Sequence, residues 1–123
     1  MTVAMVLIGG AIGAPLRYLT DLFVQSRHDS VFPWGTFTVN VLGSLILGVT
    51  AAVAVEVGTP SWVLALVGTG FCGALTTFST YWFETIRLLE EGSLLTAAEN
   101  CAASLLIGLA ACAGGFAAAA VLL

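Results

Sequence analysis

The sequence predicts an all-α integral membrane protein of four transmembrane helices, the third broken near its middle. Three observations carry that prediction. Of the 123 residues, 59% are hydrophobic and 8% charged, whereas soluble domains carry about a quarter of their residues as charged; the mean hydropathy is +1.08. Four largely apolar stretches of about 20 residues or more, enough to cross a bilayer, follow one another with short polar breaks between them. Inside the third lies Gly73-Ala-Leu-Thr-Thr-Phe-Ser-Thr-Tyr81, whose Thr and Ser hydroxyls sit where hydrocarbon offers them no partner.

The first span covers residues 3–24 and ends in the polar patch Gln25-Ser-Arg-His-Asp-Ser30. No basic segment precedes it and further spans follow, so it reads as a membrane helix rather than a targeting peptide. The second runs over 35–55 and stops at Glu56-Val-Gly-Thr-Pro60, where Gly and Pro mark a turn. The third covers 61–89; Gly70, Gly73 and Thr76-Thr77 weaken the helix there through backbone entropy and β-branching. The fourth covers 94–121. Residues 1–123 thus form a single transmembrane domain, and the short loops imply an up-down-up-down bundle with both termini on one side. So little sequence lies outside the membrane that no catalytic unit, and no enzyme, is expected. Gly9 with Gly13, Ser44 with Gly48 and Ala110 with Gly114 are spaced for close helix contact, which drives association where hydrophobicity cannot. Trp34 and Trp62 fit an aromatic belt.

Charge is scarce: three Arg, no Lys and seven acidic residues leave no basic surface for nucleic acid. Cys72, Cys101 and Cys112 lie in apolar stretches without a C-x-x-C pair and read as buried thiols. Arg27 and Arg87 fall in the first and third loops, on one side. That is a weak positive-inside bias, and it permits two copies in opposite orientations.

Several polar groups lie within the spans. Arg17 and Asp21 are one turn apart on one face; they either pair with each other, or Arg17 draws an anion into a wet vestibule while Asp21 restrains it. Asn40 offers two amide donors, for an anion or for a neighbouring helix. Asn100 and Ser104 share a face of the fourth span. Unwinding near Gly73 would free backbone carbonyls suited to a hard cation such as sodium, or the hydroxyls there simply bond back to their own helix. Phe78 and Tyr81 project from one face if the helix resumes. Their ring edges carry partial positive charge and hold an anion weakly enough to release it; packing also accounts for two membrane aromatics.

Four motifs in order, Gly9-Gly-Ala-Ile-Gly-Ala-Pro-Leu-Arg17, Gly35-Thr-Phe-Thr-Val-Asn-Val-Leu-Gly43, Gly70-Phe-Cys-Gly-Ala-Leu-Thr-Thr-Phe-Ser-Thr-Tyr81 and Asn100 through Ser104 to Gly108, together resemble the Fluc (CrcB) family of small fluoride channels. The resemblance covers nearly the whole chain. It implies a dual-topology homodimer of antiparallel subunits in the inner (plasma) membrane, with two fluoride pores and a structural sodium ion on the two-fold axis. By position, Gly73 and Thr76 would hold sodium through backbone carbonyls. Phe78 and Tyr81 would be the "phenylalanine box", Asn40 a donor to fluoride, Ser79, Thr80 and Ser104 a polar track, and Arg17 the vestibule residue; Thr36 is a weaker candidate. Tyr81 stands where the family commonly has Phe, which keeps the ring edge and adds a hydroxyl. Ala74 stands where a second Gly is frequent, leaving the proposed carbonyls untouched. Some relatives pair two oppositely biased subunits, so a heterodimer with a paralogue is the lesser expectation.

The function so implied is passive, selective fluoride export. Nothing resembles a phosphate-binding loop. A small multidrug-type cation/proton antiporter also fits four spans, but it uses a carboxylate within the first helix, and the first acidic residue here is Asp21 near that span's end. A non-conducting assembly subunit leaves the central hydroxyls without a use.

Overall fold

The computed structural model describes residues 2–27 and 31–123; His28, Asp29 and Ser30 of the first polar patch lie outside the described residues. All regular structure among those residues is helical. Four helical stretches, Thr2–Arg27, Trp34–Val57, Ser61–Glu90 and Leu94–Leu122, are long and apolar enough to cross a membrane.

Helix α1 (Thr2–Arg27) closes with the Arg27 guanidinium 4.9 Å from the centre of the Phe23 ring, a cation placed at the negative end of the helix dipole. Phe32, Trp34 and Phe37 pack ring against ring, 4.6–5.7 Å between centres, and start α2 (Trp34–Val57). Gly58, at φ 74°, returns its N–H to Ala54 O, a left-handed cap that only a residue without Cβ adopts cheaply.

The third span is irregular. Its first part, α3 (residues 61–75), opens with Ser61–Val63, widens into π-helix over Leu64–Cys72 and tightens again at Gly73–Leu75. Thr76 and Thr77 are extended, and α4 (Phe78–Glu90) follows. The chain turns at Gly92, φ 81°, with Ser93 N–H on Leu88 O at 2.9 Å, into α5 (Leu94–Leu122).

Small residues set the two closest helix crossings. A Cβ on Gly70 would lie 2.6 Å from Val6 O and 3.1 Å from Gly9 Cα, so α1 and α3 touch backbone to backbone. Gly48 meets the Cys112 backbone, and a Cβ on Gly115 would lie 2.7 Å from Leu45 O, which joins α2 to α5. The Ala110–Gly114 pair does not make this contact: both residues are exposed, and nothing lies within 4 Å of a Cβ on Gly114. The buried face of α5 is Ala97, Asn100, Ser104, Gly108 and Gly115, a helical stripe on which positions 110 and 114 do not fall. Most large apolar side chains point outward, Leu7 at 67% and Leu109 at 62% exposure among them. Water would not tolerate so large an apolar surface; lipid does.

Candidate functional site

Thr76 makes the last bond of α3, its N–H and its hydroxyl both donating to Cys72 O at 3.0 and 2.9 Å. Its ψ of 164° then turns the chain out of the helix, and Thr77 continues at φ −150°, ψ 123°. In an unbroken helix the Thr77 N–H would go to the Gly73 carbonyl. It goes instead to Asn40 Oδ1 at 2.7 Å, while Asn40 Nδ2 donates to Thr77 O at 3.1 Å. One carboxamide thus satisfies both backbone groups of Thr77, as a neighbouring strand would. Thr77 also restarts the helix. Its Oγ1 accepts the Thr80 N–H at 3.2 Å and donates to Thr80 Oγ1 at 3.1 Å, a side-chain N-cap.

Around this junction lies a cavity of about 340 Å³ whose lining includes Asn40, Ser44, Gly73, Thr76, Thr77, Phe78, Tyr81 and Ser104, with no Lys or Arg. A second, of about 200 Å³, is lined by Arg17, Asp21, Thr36, Thr77 and Thr80 among others. Thr77 lines both and forms a polar wall common to the two.

The residues picked from the sequence divide by what they already bond. Ser44 donates to Asn40 O at 2.7 Å and Thr76 to Cys72 O, so these hydroxyl hydrogens stay within their own helices. Ser104 donates to Asn100 Oδ1 over a longer 3.3 Å. Asn40 uses one amide hydrogen on Thr77 O and keeps the second. The Thr80 hydroxyl accepts from Thr77 and keeps its own hydrogen. Ser79 makes one long hydroxyl contact with Thr77, 3.5 Å. Phe78 is 74% exposed and Tyr81 8%, their ring centres 6.1 Å apart.

Arg17 and Asp21 do not pair with each other. Arg17 Nη1 donates to Thr76 O at 3.4 Å, across 59 residues, and Asp21 Oδ1 accepts from Gln25 Nε2 at 2.9 Å. The reason is packing: α2 presents Gly35 to Asp21, where a Cβ would collide with the carboxylate, and Arg17 reaches past it to the carbonyl left open by the extended segment.

Sequence reasoning passed over Glu84. It accepts a hydrogen bond from the Thr36 hydroxyl, fixing α2 to α4 beside the smaller cavity; an acidic residue inside the third span was the signal. Thr85, buried at 4% exposure, was also missed, because a Thr between apolar neighbours carries no sign of its partner.

A family profile described as "CrcB-like protein, Camphor Resistance (CrcB)" matches residues 4–116. The chain belongs to the CrcB family. Among its relatives, "Fluoride-specific ion channel FluC 1" of Frankia casuarinae is 56% identical over 116 residues, covering 90% of each chain. The protein of the same name from Streptomyces avermitilis is 54% identical over 112 residues, again covering 90% of each. "Fluoride-specific ion channel FluC 2" of Rhodococcus jostii is 46% identical over 116 residues, 94% of this chain and 96% of that one. Membership of the CrcB family and four spanning helices make this chain a multi-pass membrane protein. The extended pair Thr76–Thr77 and both cavities fall inside the stretch that the CrcB profile matches.

Proposed function

We propose that the chain is a fluoride-selective channel, formed by two antiparallel copies in the inner (plasma) membrane, that lets fluoride leave passively and lowers its cytoplasmic concentration. The observation that carries this reading is the chemistry of the larger cavity. Fluoride is small and strongly hydrated, so a selective path must replace water with several close donors. The second amide hydrogen of Asn40 and the edges of Phe78 and Tyr81 meet in that cavity, and the Thr80 hydroxyl, on the far side of Thr77 in the smaller cavity, continues the set, with Ser79 exposed beside it. A buried Lys or Arg would hold the anion too firmly for conduction, and the lining has none. The relatives' names supply the ion. They also favour a channel over a cation/proton antiporter, as does the absence of a carboxylate within α1 before Asp21.

Two features support a second copy. Ser79 and Thr80 are exposed in the middle of the third span, where lipid would offer no acceptor to the Thr80 hydroxyl hydrogen and leave Ser79 with only its long contact to Thr77. Gly73 is open as well, with nothing within 4 Å of an added Cβ. A sodium ion fits the same face. Thr77 N–H is committed to Asn40, so the Gly73 carbonyl has lost its helical donor, and the Thr76 carbonyl carries only the long Arg17 contact of 3.4 Å. Two carbonyls are too few for a hard cation, and a second copy would double them. When bound, the ion would neutralise those dipoles and join the subunits. The paralogue heterodimer is the less economical form of the same assembly.

Efflux from liposomes containing the purified protein tests the function. Fast fluoride efflux with no comparable chloride efflux is the expected result; drug–proton exchange without fluoride flux would overturn it.

A further inference from the structure

Tyr81 is held at both ends. Its hydroxyl donates to the Cys101 carbonyl at 2.9 Å, and its own carbonyl accepts from Thr85 Oγ1 at 2.8 Å. Asn100 Nδ2 donates to Thr85 Oγ1 at 2.7 Å, and Ser104 Oγ donates to Asn100 Oδ1 at 3.3 Å. A run of hydrogen bonds therefore leaves α4 at the Tyr81 carbonyl, crosses to Asn100 on α5, and is matched one residue on by the return contact from Cys101 to the Tyr81 hydroxyl. The side chains in it are buried: Tyr81 8%, Thr85 4%, Asn100 1% and Ser104 9% exposed. Satisfied polar networks of this kind rigidify the elements they join.

Phe78 is the opposite case. Its ring has no hydrogen-bonding group; its centre lies 6.1 Å from that of Tyr81 and 6.0 Å from that of Trp82, and the residue is 74% exposed in the single chain. The two rings at the cavity are therefore held differently, Tyr81 by a hydrogen bond within the chain and Phe78 by packing.

We propose that the Tyr81 hydroxyl is a strut that fixes the ring edge of Tyr81 in the cavity. This rests on the fluoride-channel reading. The hydroxyl has a single hydrogen, and Cys101 takes it, so Tyr81 meets an anion through its ring edge and not as an O–H donor. A Phe here would be oriented by packing alone. Tyr81 is in this sense a positioning residue for its own ring.

The test compares the parent with Tyr81→Phe and with Tyr81→4-aminophenylalanine, which keeps a donor. Fluoride efflux should fall by about 2- to 10-fold in Tyr81→Phe, the population shift that one neutral hydrogen bond supports, and return toward the parental rate in the amino variant. Parental flux in Tyr81→Phe overturns the strut, as does equal loss in both variants. Ring-flip rates from fluorine NMR of ring-fluorinated residues at position 81 read the strut without flux: slow flips in the parent and faster flips in Tyr81→Phe are expected, and equal rates contradict it. A parent that carries no fluoride sinks the channel reading instead, with the ring-flip comparison still deciding the strut. If Tyr81→Phe does not fold, the amino variant decides through its ring-flip rate: flips as slow as in the parent support the strut, and faster flips overturn it.

Discussion

Asn40 supports the extended Thr76–Thr77 segment by bonding both backbone groups of Thr77, a residue only 9% exposed. Asn40→Leu strands a buried N–H and a buried C=O, each costing about 1–3 kcal/mol; thermal unfolding in detergent should show a loss of several kcal/mol, and parental stability would remove Asn40 from this role. Thr77→Val deletes the N-cap of α4 and should cost about 1 kcal/mol in the same assay. Part of this was legible. A polar side chain in an apolar span announces that it has a partner, so Asn40 stood out. The partner did not, because 37 residues separate Asn40 from Thr77 and only the folded chain brings them together. For the same reason the pairing with Asp21, one of the two readings of Arg17, did not hold: its contact lies 59 residues away.

At the scale of the helices, glycine placement decides which faces meet. Gly70→Val puts branched carbons where a single Cβ would already lie 2.6 Å from Val6 O, and should cost about 1–3 kcal/mol or more through overpacking. Gly114→Ala meets nothing within the chain and should stay within about 0.5 kcal/mol of the parent. Equal melting temperatures for these two variants would refute the crossing of α1 on α3. The spacing of Gly9 and Gly13 was readable as a contact, since both turned out buried. That of Ala110 and Gly114 misled, because small-residue spacing marks a possible seam without saying whether another helix lies on it. The π-helical stretch Leu64–Cys72 left no sequence trace. The glycines and β-branched residues there indicate only weakened α-helix.

For the whole molecule, the exposed hydroxyls of Ser79 and Thr80 and the open surface at Gly73 form the face on which the proposed second copy would sit. Composition and span lengths were enough to reach four membrane helices; the surface that one chain leaves uncovered became visible only once the chain was folded. Replacing sodium with a bulky organic cation during purification should shift the protein from dimer to monomer, read by cross-linking, if carbonyls of Gly73 and Thr76 join the copies through that ion. A sodium-independent dimer would contradict that arrangement. The central claim is that fluoride passes along the Asn40–Phe78–Tyr81 cavity. Its most direct test is fluoride efflux from liposomes holding either the parent or Phe78→Ile at matched amounts of dimer. Removing the ring edge while keeping apolar bulk should slow efflux by about tenfold; efflux from Phe78→Ile at the parental rate would show that fluoride does not take this path.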